Sequence, residues 1–324
     1  MSFYLGIDIG SVSAKFALLE GEGRLVESVY LRTHGRPIAA IQEGLSRLRR
    51  KVPNDNAVIG VGATGSARHL AGAIVGADIV KNEITCQAVG TLQFVPDVRT
   101  IIEIGGQDSK IIVLREGIII DFGMNSVCAA GTGSFLDHQA SRLNVSIEEF
   151  GARAVDSQRP VRISGQCTVF AESDMLQKQQ MGHAMKDILY GLCQALGRNY
   201  LHDVGSGKDI QPPIVFQGGV AFNAGMARAI QELLQEKIIV PPHHEVMGAI
   251  GAGVVAMGNE ARPKKTSFNG FGVVAAQYEI RLMECRACPS LCEIAQVSRD
   301  GKRIAFWGGR CDLWETRAAD SATV

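Results

Sequence analysis

The first side chains that could do chemistry follow an apolar run near the amino terminus. Asp8 is followed by Gly10, Ser11, Ser13 and Lys15. At a turn, the backbone N–H groups of such small residues can face phosphate oxygens, while the hydroxyls and the lysine supply further donors and one positive charge. An ordinary turn explains the segment equally well when it is taken alone. It is not a P-loop, because G-x-x-x-x-G-K-[S/T] does not occur in the chain.

A second polar segment of this kind has its aspartate at position 108, one hundred residues after the first. It contains Glu103, Gly105, Gly106, Gln107 and Asp108. The glycines allow a ligand to approach the backbone, and Gln107 and Asp108 can orient a water molecule or a hydrated magnesium ion. Because magnesium needs only one or two carboxylates, the predicted ligands are the aspartate of the first segment with Asp108 or Glu103. A solvated turn is the alternative, but two such segments favour phosphate binding.

Further glycines precede predicted helices. Gly131 and Gly133 lie at the start of a helix predicted over 131–143, and Gly218 and Gly219 follow a predicted strand and precede a helix that starts near Asn223. A strand that runs through a Gly-Gly turn into a helix lets the backbone pack against a nucleoside, with the helix N-terminus nearby. These four glycines and Asn223 are therefore predicted to contact the nucleotide. Gly-Gly pairs are common, so this signal is weak by itself.

Two cysteines lie at positions that could activate a thiol. Cys128 and Cys167 each come just before a predicted helix. The unpaired N–H groups and the positive end of the helix dipole favour a thiolate there. The alternative is that each is a small buried apolar side chain, which is the usual role of an isolated cysteine. Cys86 and Cys193 lie within helical patterns and are predicted to be buried in this way.

The carboxyl-terminal segment contains a group of four cysteines, namely Cys285, Cys288, Cys292 and Cys311. The C-x2-C-x3-C spacing with one later cysteine provides four sulfur ligands, which suit zinc or an iron–sulfur cluster. In a reducing compartment, grouped cysteines are more often metal ligands or redox groups than disulfides. The spacing alone favours zinc and iron equally.

Strands and helices must place these side chains at turns. Apolar runs at 3–9, 14–19 and 25–31 predict three antiparallel strands, and the spacing of apolar residues over 37–50 predicts an amphipathic helix. The strand–turn–strand pattern recurs from Thr100. Two halves that each open with such a hairpin indicate an internally duplicated α/β fold.

Length and composition set limits on the whole chain. The 324 residues exceed the size of one ordinary hydrophobic core. The predicted divisions are a first subdomain at 1–95, a second at 96–260, and a linker with the cysteine-rich tail at 261–324. Thirty-three basic residues balance thirty-three acidic ones, which argues against a nucleic-acid or anionic-membrane partner. With neither a signal sequence nor an apolar run of membrane length, the chain is expected to be cytoplasmic.

Taken together, the motifs resemble those of the actin, sugar-kinase and heat-shock-ATPase superfamily. Within it they are similar to the ATP-dependent activators of 2-hydroxyacyl-CoA dehydratases and the ATPase subunits of benzoyl-CoA reductase. The resemblance covers residues 3–258, and the tail resembles the region after the ATPase domain in long multidomain relatives. The matching segments are Tyr4–Lys15, Ile101–Lys110, Asn125–Phe135, Gly165–Asp174 and Val215–Gly225.

The resemblance implies a duplicated actin-like, ribonuclease H-like fold, with two subdomains around a cleft for ATP or ADP and Mg²⁺. It implies that Asp8 and Asp108 hold hydrated magnesium and that Gln107 positions water. It also implies a homodimer in which Cys128 and Cys167 of each subunit bind one shared [4Fe–4S] cluster.

In such activators, ATP hydrolysis drives electron transfer. The expected electron donor is ferredoxin or flavodoxin, and the acceptor is an iron–sulfur dehydratase or reductase that acts on a CoA thioester. Two alternatives remain: a small-molecule kinase with the same fold, and an ATP-binding scaffold with a zinc-binding tail.

Overall fold

A computed structural model describes residues 2–125, 128–165, 167–259, 265–311 and 313–314. By their contacts the residues form two compact units, one of Met1–Cys86 with Gly248–Val324 and the other of Gln87–Met247. The subdomain boundaries expected after residues 95 and 260 remain predictions. The contacts divide the chain earlier at both places and join the tail to the first unit.

The first unit contains a five-stranded sheet in the order β3-β2-β1-β4-β5. Its strands are β1 (Phe3–Ile9), β2 (Ser13–Glu20), β3 (Arg24–Arg32), β4 (Val58–Thr64) and β5 (Ile79–Val80). The first three are antiparallel, whereas β4 runs parallel to β1 and β5 runs parallel to β4. All of β1 except Tyr4 is buried, as expected for a central strand that is covered on both faces.

Two helices follow strands in the amino-terminal part of this unit, namely α1 (Pro37–Arg49) and α2 (Arg68–Val75). The apolar spacing of α1 places Ile41, Leu45 and Leu48 in the core, where none of the three is exposed. A further helix, α3 (Glu83–Leu92), begins in the first unit and ends in the second. The predicted amphipathic helix at 37–50 is therefore confirmed to within one residue.

The second unit repeats the layout of the first. Its sheet has the order β10-β9-β6-β7-β8. The strands are β6 (Thr100–Ile104), β7 (Ser109–Arg115), β8 (Ile118–Asn125), β9 (Ile214–Gln217) and β10 (Ile238–Ile239). Three antiparallel strands are again joined by two parallel ones, so that β6 corresponds to β1. The predicted internal duplication is confirmed by this matching strand order.

Helices make up most of the remaining second unit. They are α4 (Gly133–Arg142), α5 (Ile147–Val155), α6 (Thr168–Gln180), α7 (Met185–Asp203) and α8 (Ala224–Leu234). The long helix α7 lies at the centre, since Leu189, Leu192 and Leu196 are fully buried and α5, α6 and α8 all pack against it. The next helix, α9 (Met247–Met257), belongs to the first unit from Gly248 onward and is apolar on all sides, which is typical of a buried helix.

The cysteine-rich tail contains regular structure that its composition did not indicate. An antiparallel sheet is formed by β11 (Tyr278–Glu284), β12 (Glu293–Arg299) and β13 (Lys302–Trp307). A small apolar cluster beside it includes Cys285, Ile294 and Phe306. Residues 261–264, 312 and 315–324 of the predicted linker and tail lie outside the described residues. Among the helices that are described, none has the length and apolar character needed to cross a bilayer.

Candidate functional site

The first polar segment forms the turn between β1 and β2. Asp8 pairs in register with Lys15 across the two strands, and the Lys15 Nζ lies 3.1 Å from the Asp8 Oδ2. The Gly10 N–H donates to the Ser13 carbonyl at 2.9 Å and closes the turn, leaving Ser11 exposed at the tip. The carboxylate is therefore buried at the base of a hairpin whose tip presents backbone and hydroxyl groups.

A buried thiol lies near the base of this hairpin. Burial raises the pKa of Cys86 to about 11, and the charge of Asp8 contributes to the increase. Thr64 is the register partner of Asp8 on the parallel strand β4. The Cys86 thiol therefore stays protonated at neutral pH, which confirms the buried role that its helical pattern predicted.

The second polar segment forms the equivalent turn between β6 and β7. The Lys110 Nζ lies 3.0 Å from the Glu103 Oε2 and 2.8 Å from the Asp108 Oδ2. Lys110 and Glu103 are only 1% and 3% exposed. The Gly105 N–H donates to the Asp108 carbonyl at 2.9 Å, and Gln107 is exposed at the tip. Two of the predicted acidic residues thus share one buried lysine.

Replacing Lys110 by methionine should strongly destabilise the second unit. The Glu103 carboxylate would stay buried but lose its ion pair with the lysine, which costs about 3–5 kcal/mol of unfolding free energy. Urea unfolding of both proteins, followed by circular dichroism, measures the difference. Lys208→Met is the matched control, because Lys208 pairs at 2.8 Å with Asp121, whose side chain is 47% exposed. It should leave the urea midpoint near that of the wild type; equal losses in both variants would contradict the prediction.

The tip of the second hairpin is tied directly to the start of α4. The Gly133 N–H donates to the Gly105 carbonyl at 2.9 Å, and the Ser134 N–H donates to the Gly106 carbonyl at 2.8 Å. The Ser134 hydroxyl donates to the same Gly106 carbonyl. Three of the glycines predicted to approach nucleotide therefore meet at one point of the second unit.

The Gly218-Gly219 segment follows β9 and lies against the end of β6. Gly218 has φ +93°, and a Cβ there would lie 2.5 Å from the Ile104 carbonyl oxygen and 2.9 Å from the Glu103 Oε1. The His244 Nδ1 lies 3.1 Å from the Gly218 carbonyl oxygen. A glycine is therefore required here for the strand and the turn to pack closely.

Gly218→Ala should destabilise the protein more than Gly207→Ala does. Both glycines have positive φ, but an added Cβ at Gly207 would contact nothing within 4 Å. The positive φ costs about 1–2 kcal/mol in each variant, and overpacking at Gly218 adds about 1–3 kcal/mol. Thermal and urea unfolding measure the two losses. Equal losses of stability in the two variants would show that the protein accommodates a Cβ at Gly218 without overpacking against β6, and would contradict the prediction.

Asn223 has a structural role that the sequence analysis did not predict. Its Oδ1 accepts from the Met226 N–H at 3.0 Å and caps the N-terminus of α8. The residue is only 8% exposed. An asparagine directly before an apolar helical pattern is the usual signal for an N-cap. Its contact with nucleotide stays a prediction.

The two cysteine-bearing segments differ in their local structure. Cys167 is the N-cap residue of α6, which agrees with its predicted position just before a helix, and its side chain is half-buried. Cys128 is exposed and precedes a 3-10 turn, Ala129–Gly131, while Thr132 is the N-cap of α4. Cys128 therefore precedes α4 by one 3-10 turn, and α4 begins where the Gly133 N–H bonds to the Gly105 carbonyl.

The Cys128 backbone is held on both sides by one amide side chain. The Cys128 N–H donates to the Asn125 Oδ1 at 2.9 Å, and the Asn125 Nδ2 donates to the Cys128 carbonyl at 2.8 Å. Cys128 and Cys167 are both accessible to solvent, unlike Cys86 and Cys193, which are fully buried. The two accessible thiols of these segments suit half of a thiolate-ligated cluster.

The tail cysteines differ from one another in their exposure to solvent. Cys285 is buried beside Ile294, its N–H donates to the Cys292 carbonyl at 2.8 Å, and Cys288 and Cys311 are exposed. Within the described ranges, no group of three or more His, Cys, Asp or Glu side chains is placed to hold one metal ion. The tail metal site therefore stays a prediction.

Comparison with known proteins identifies the family. The model of the BadF/BadG/BcrA/BcrD ATPase family matches residues 5–256. The chain is 35% identical over 270 residues to the (R)-2-hydroxyglutaryl-CoA dehydratase activating ATPase of Acidaminococcus fermentans, covering 81% of this chain and all of the relative.

Solved structures agree with this match. The activator of the 2-hydroxyisocaproyl-CoA dehydratase from Clostridium difficile with bound ADPNP superposes with a TM-score of 0.72 at 33% identity, covering 78% of this chain and 94% of that one. A glucokinase of the ROK family from Streptomyces griseus, at 13% identity and a TM-score of 0.51 over 79% of this chain and 99% of that one, shares the fold alone. The resemblance drawn from the motifs and the duplicated actin-like fold are both confirmed. The chain belongs to the BadF/BadG/BcrA/BcrD ATPase family.

Proposed function

We propose that this chain hydrolyses ATP to drive low-potential electron transfer from a [4Fe–4S] cluster, shared by two copies of the chain, to a dehydratase or reductase of CoA thioesters. One observation carries the proposal. Within the second unit of an ATPase, the segment that begins at the accessible Cys128 leads into α4, whose first N–H groups bond to the glycine carbonyls of the second hairpin.

For nucleotide chemistry, each hairpin supplies one candidate carboxylate for hydrated Mg²⁺, Asp8 in the first and Asp108 in the second. The ion would offset phosphate charge, since Mg²⁺ is usually held by one or two carboxylates together with phosphates and water. Lys15 and Lys110 pair with these carboxylates at 3.1 Å and 2.8 Å and orient them. Gln107 is exposed at the tip of its hairpin, where its amide can position a water molecule.

For the cluster, Cys128 and Cys167 would be the ligands, and the cluster would carry the electron. Four thiolates are needed for one [4Fe–4S] unit, and a two-fold dimer supplies two from each chain. Exposed apolar side chains near both cysteines support such a dimer. On the edge strand β8 and at the start of α6, these side chains are Ile118, Ile120, Phe122, Met124, Val169 and Phe170, each at least 49% exposed.

The acceptor proposed for the electron is an iron–sulfur enzyme that dehydrates a 2-hydroxyacyl-CoA or reduces an aromatic acyl-CoA. Two relatives carry names of this kind, the 2-hydroxyglutaryl-CoA dehydratase activating ATPase and one of the benzoyl-CoA reductase subunits of Thauera aromatica. The donor proposed is ferredoxin or flavodoxin. In this scheme the chain supplies geometry and electrostatics, while the bound group supplies the redox chemistry.

Anaerobic purification tests the proposal directly. The protein should contain about four irons and four sulfides per pair of chains, because one cubane needs four thiolates. It should also release phosphate from ATP and show an EPR signal after reduction. A colourless protein that phosphorylates an added hydroxyl compound would instead establish the kinase alternative. A protein that binds zinc alone and does not hydrolyse ATP would establish the scaffold alternative.

A further inference from the structure

Three consecutive residues of α7 reach three different segments of the second unit. The Arg198 Nη2 donates to the Ile163 carbonyl at 2.7 Å. The Asn199 Nδ2 donates to the Ala130 carbonyl at 3.3 Å, and the Tyr200 hydroxyl donates to the Lys110 carbonyl at 2.8 Å. Successive residues of an α-helix point about 100° apart, so a single turn can make all three contacts.

The three carbonyl acceptors lie in the segments on which the proposed function depends. Ile163 lies four residues before Cys167, and Ala130 lies two residues after Cys128. Lys110 is the buried lysine at the base of the second hairpin. One turn of α7 therefore connects both cysteine-bearing segments to the hairpin proposed for nucleotide.

Asn199 is placed to hold the two cysteine segments together. Its Nδ2 bonds to Ala130 on the Cys128 side, and its Oδ1 lies 2.9 Å from the position that a Cβ would take at Gly165. Gly165 is two residues before Cys167. The Asn199 amide thus bonds to the Cys128 segment and lies close to Gly165 of the Cys167 segment, so we expect a shift of α7 to affect both segments.

A buried hydrogen bond of Tyr200 joins α7 to the second hairpin next to this amide. Tyr200 is fully buried, and burial raises the pKa of its hydroxyl well above the ordinary value, with a further increase from the charge of Glu103. The hydroxyl therefore remains a neutral donor to the Lys110 carbonyl at all physiological pH values. Because α7 is a helix of 19 residues with a fully buried side, we expect a displacement at Tyr200 to move the neighbouring Asn199 with it.

We propose that Asn199 is a positioning residue that sets the relative placement of the Cys128 and Cys167 segments, and that Tyr200 links this placement to the nucleotide hairpin. The inference rests on the proposed function, in which the two thiols share one cluster. A displacement of β7 when nucleotide binds would pass through the Tyr200 hydroxyl to α7. From there it would reach both cysteine segments through the Asn199 amide.

The test measures how nucleotide changes the reactivity of the two thiols. The full chain, freed of iron by chelation, is alkylated with iodoacetamide in the presence and absence of ADPNP, and peptide mass spectrometry gives a rate for each cysteine. In the wild type, ADPNP should change both rates about fivefold or more, the lower end of typical coupling between sites. In Asn199→Ala and in Tyr200→Phe, the change should fall below about twofold.

A matched control lies on the same helix. The Gln194 Nε2 contacts the Glu232 Oε2 of α8 at 3.4 Å, and α8 contains no cysteine. Gln194→Ala should therefore keep the full response. In every variant, binding of ADPNP should stay within about threefold of the wild type, because none of these side chains belongs to the hairpin tips. Should Asn199→Ala not fold, Tyr200→Phe still decides the test, since it removes a single oxygen atom.

Two results would overturn the inference: a wild-type response in both Asn199→Ala and Tyr200→Phe, or thiols in the wild type that ignore ADPNP. Failure of the proposed function has a different signature. A purified chain without iron whose thiols still respond to ADPNP through Asn199 would retain the positioning role and refute the electron-transfer role. A chain that binds iron, but whose variants respond to ADPNP like the wild type, would retain the electron-transfer role and refute the positioning role.

Discussion

Cys128→Ser and Cys167→Ser should each abolish the iron–sulfur cluster. A serine hydroxyl does not replace a thiolate as a ligand, and in a two-fold dimer each substitution removes two of the four ligands at once. Iron should fall from about four per pair of chains to below about one. Colorimetric iron and sulfide analysis of anaerobically purified protein measures this loss, and the EPR signal of the reduced protein should disappear with it.

The matched control is Cys193→Ala. Cys193 is fully buried in α7, and burial raises the pKa of its thiol, so it is not available as a thiolate ligand. This variant should keep its iron. A variant with all four tail cysteines changed to serine shows how much of the measured iron is bound by the tail. If both Cys128→Ser and Cys167→Ser kept the iron of the body, the assignment of these residues as ligands would be wrong.

Asp8→Asn should reduce ATP hydrolysis about 100-fold or more, a typical loss when one preorganised electrostatic group is removed. The amide has the size of the carboxylate but cannot supply the negative charge that hydrated Mg²⁺ requires. It also replaces the ion pair with Lys15, whose Nζ lies 3.1 Å away, so the lysine is held less firmly toward the base of the hairpin. Phosphate release at saturating ATP, measured over a series of Mg²⁺ concentrations, gives the loss.

Asp209→Asn is the control for this substitution. Asp209 pairs with Arg115, and hydrogen bonds from Arg115 and Gln211 hold the pKa of its carboxyl below the ordinary value. Arg115 is the last residue of β7, at the opposite end of that strand from the tip of the second hairpin. Hydrolysis should be unchanged in this variant. Thermal unfolding must show that Asp8→Asn remains folded. A folded Asp8→Asn protein with normal hydrolysis would remove Asp8 from the proposed magnesium site.

Local patterns were sufficient to predict the elements that carry the chemistry. The alternation and apolar runs before Asp8 and Glu103 indicated two hairpins, because strands that are buried on both faces read as nearly continuous apolar runs. The spacing of Ile41, Leu45 and Leu48 indicated α1, and the helical setting of Cys193 indicated a buried thiol. Each of these features depends on residues that are close in sequence.

Features that depend on the tertiary surroundings of a residue were missed. The motif around Lys110 predicts a polar hairpin, but it does not predict that the lysine is buried between Glu103 and Asp108. The cysteines of the tail gave no indication of the three strands that follow Ala275. Such features depend on surroundings that composition does not specify. The capping of α8 by the Asn223 Oδ1 was missed for a different reason, since its signal is local: an asparagine directly before an apolar helical pattern.

The sequence by itself determined the family and the two polar turns, because these are properties of residue type and short-range spacing. Only the tertiary structure decided that one turn of α7 contacts both cysteine segments and the second hairpin. Those three hydrogen bonds join residues that are 35, 69 and 90 positions apart. No local pattern encodes them, because the packing of the whole second unit brings these backbone carbonyls to the helix.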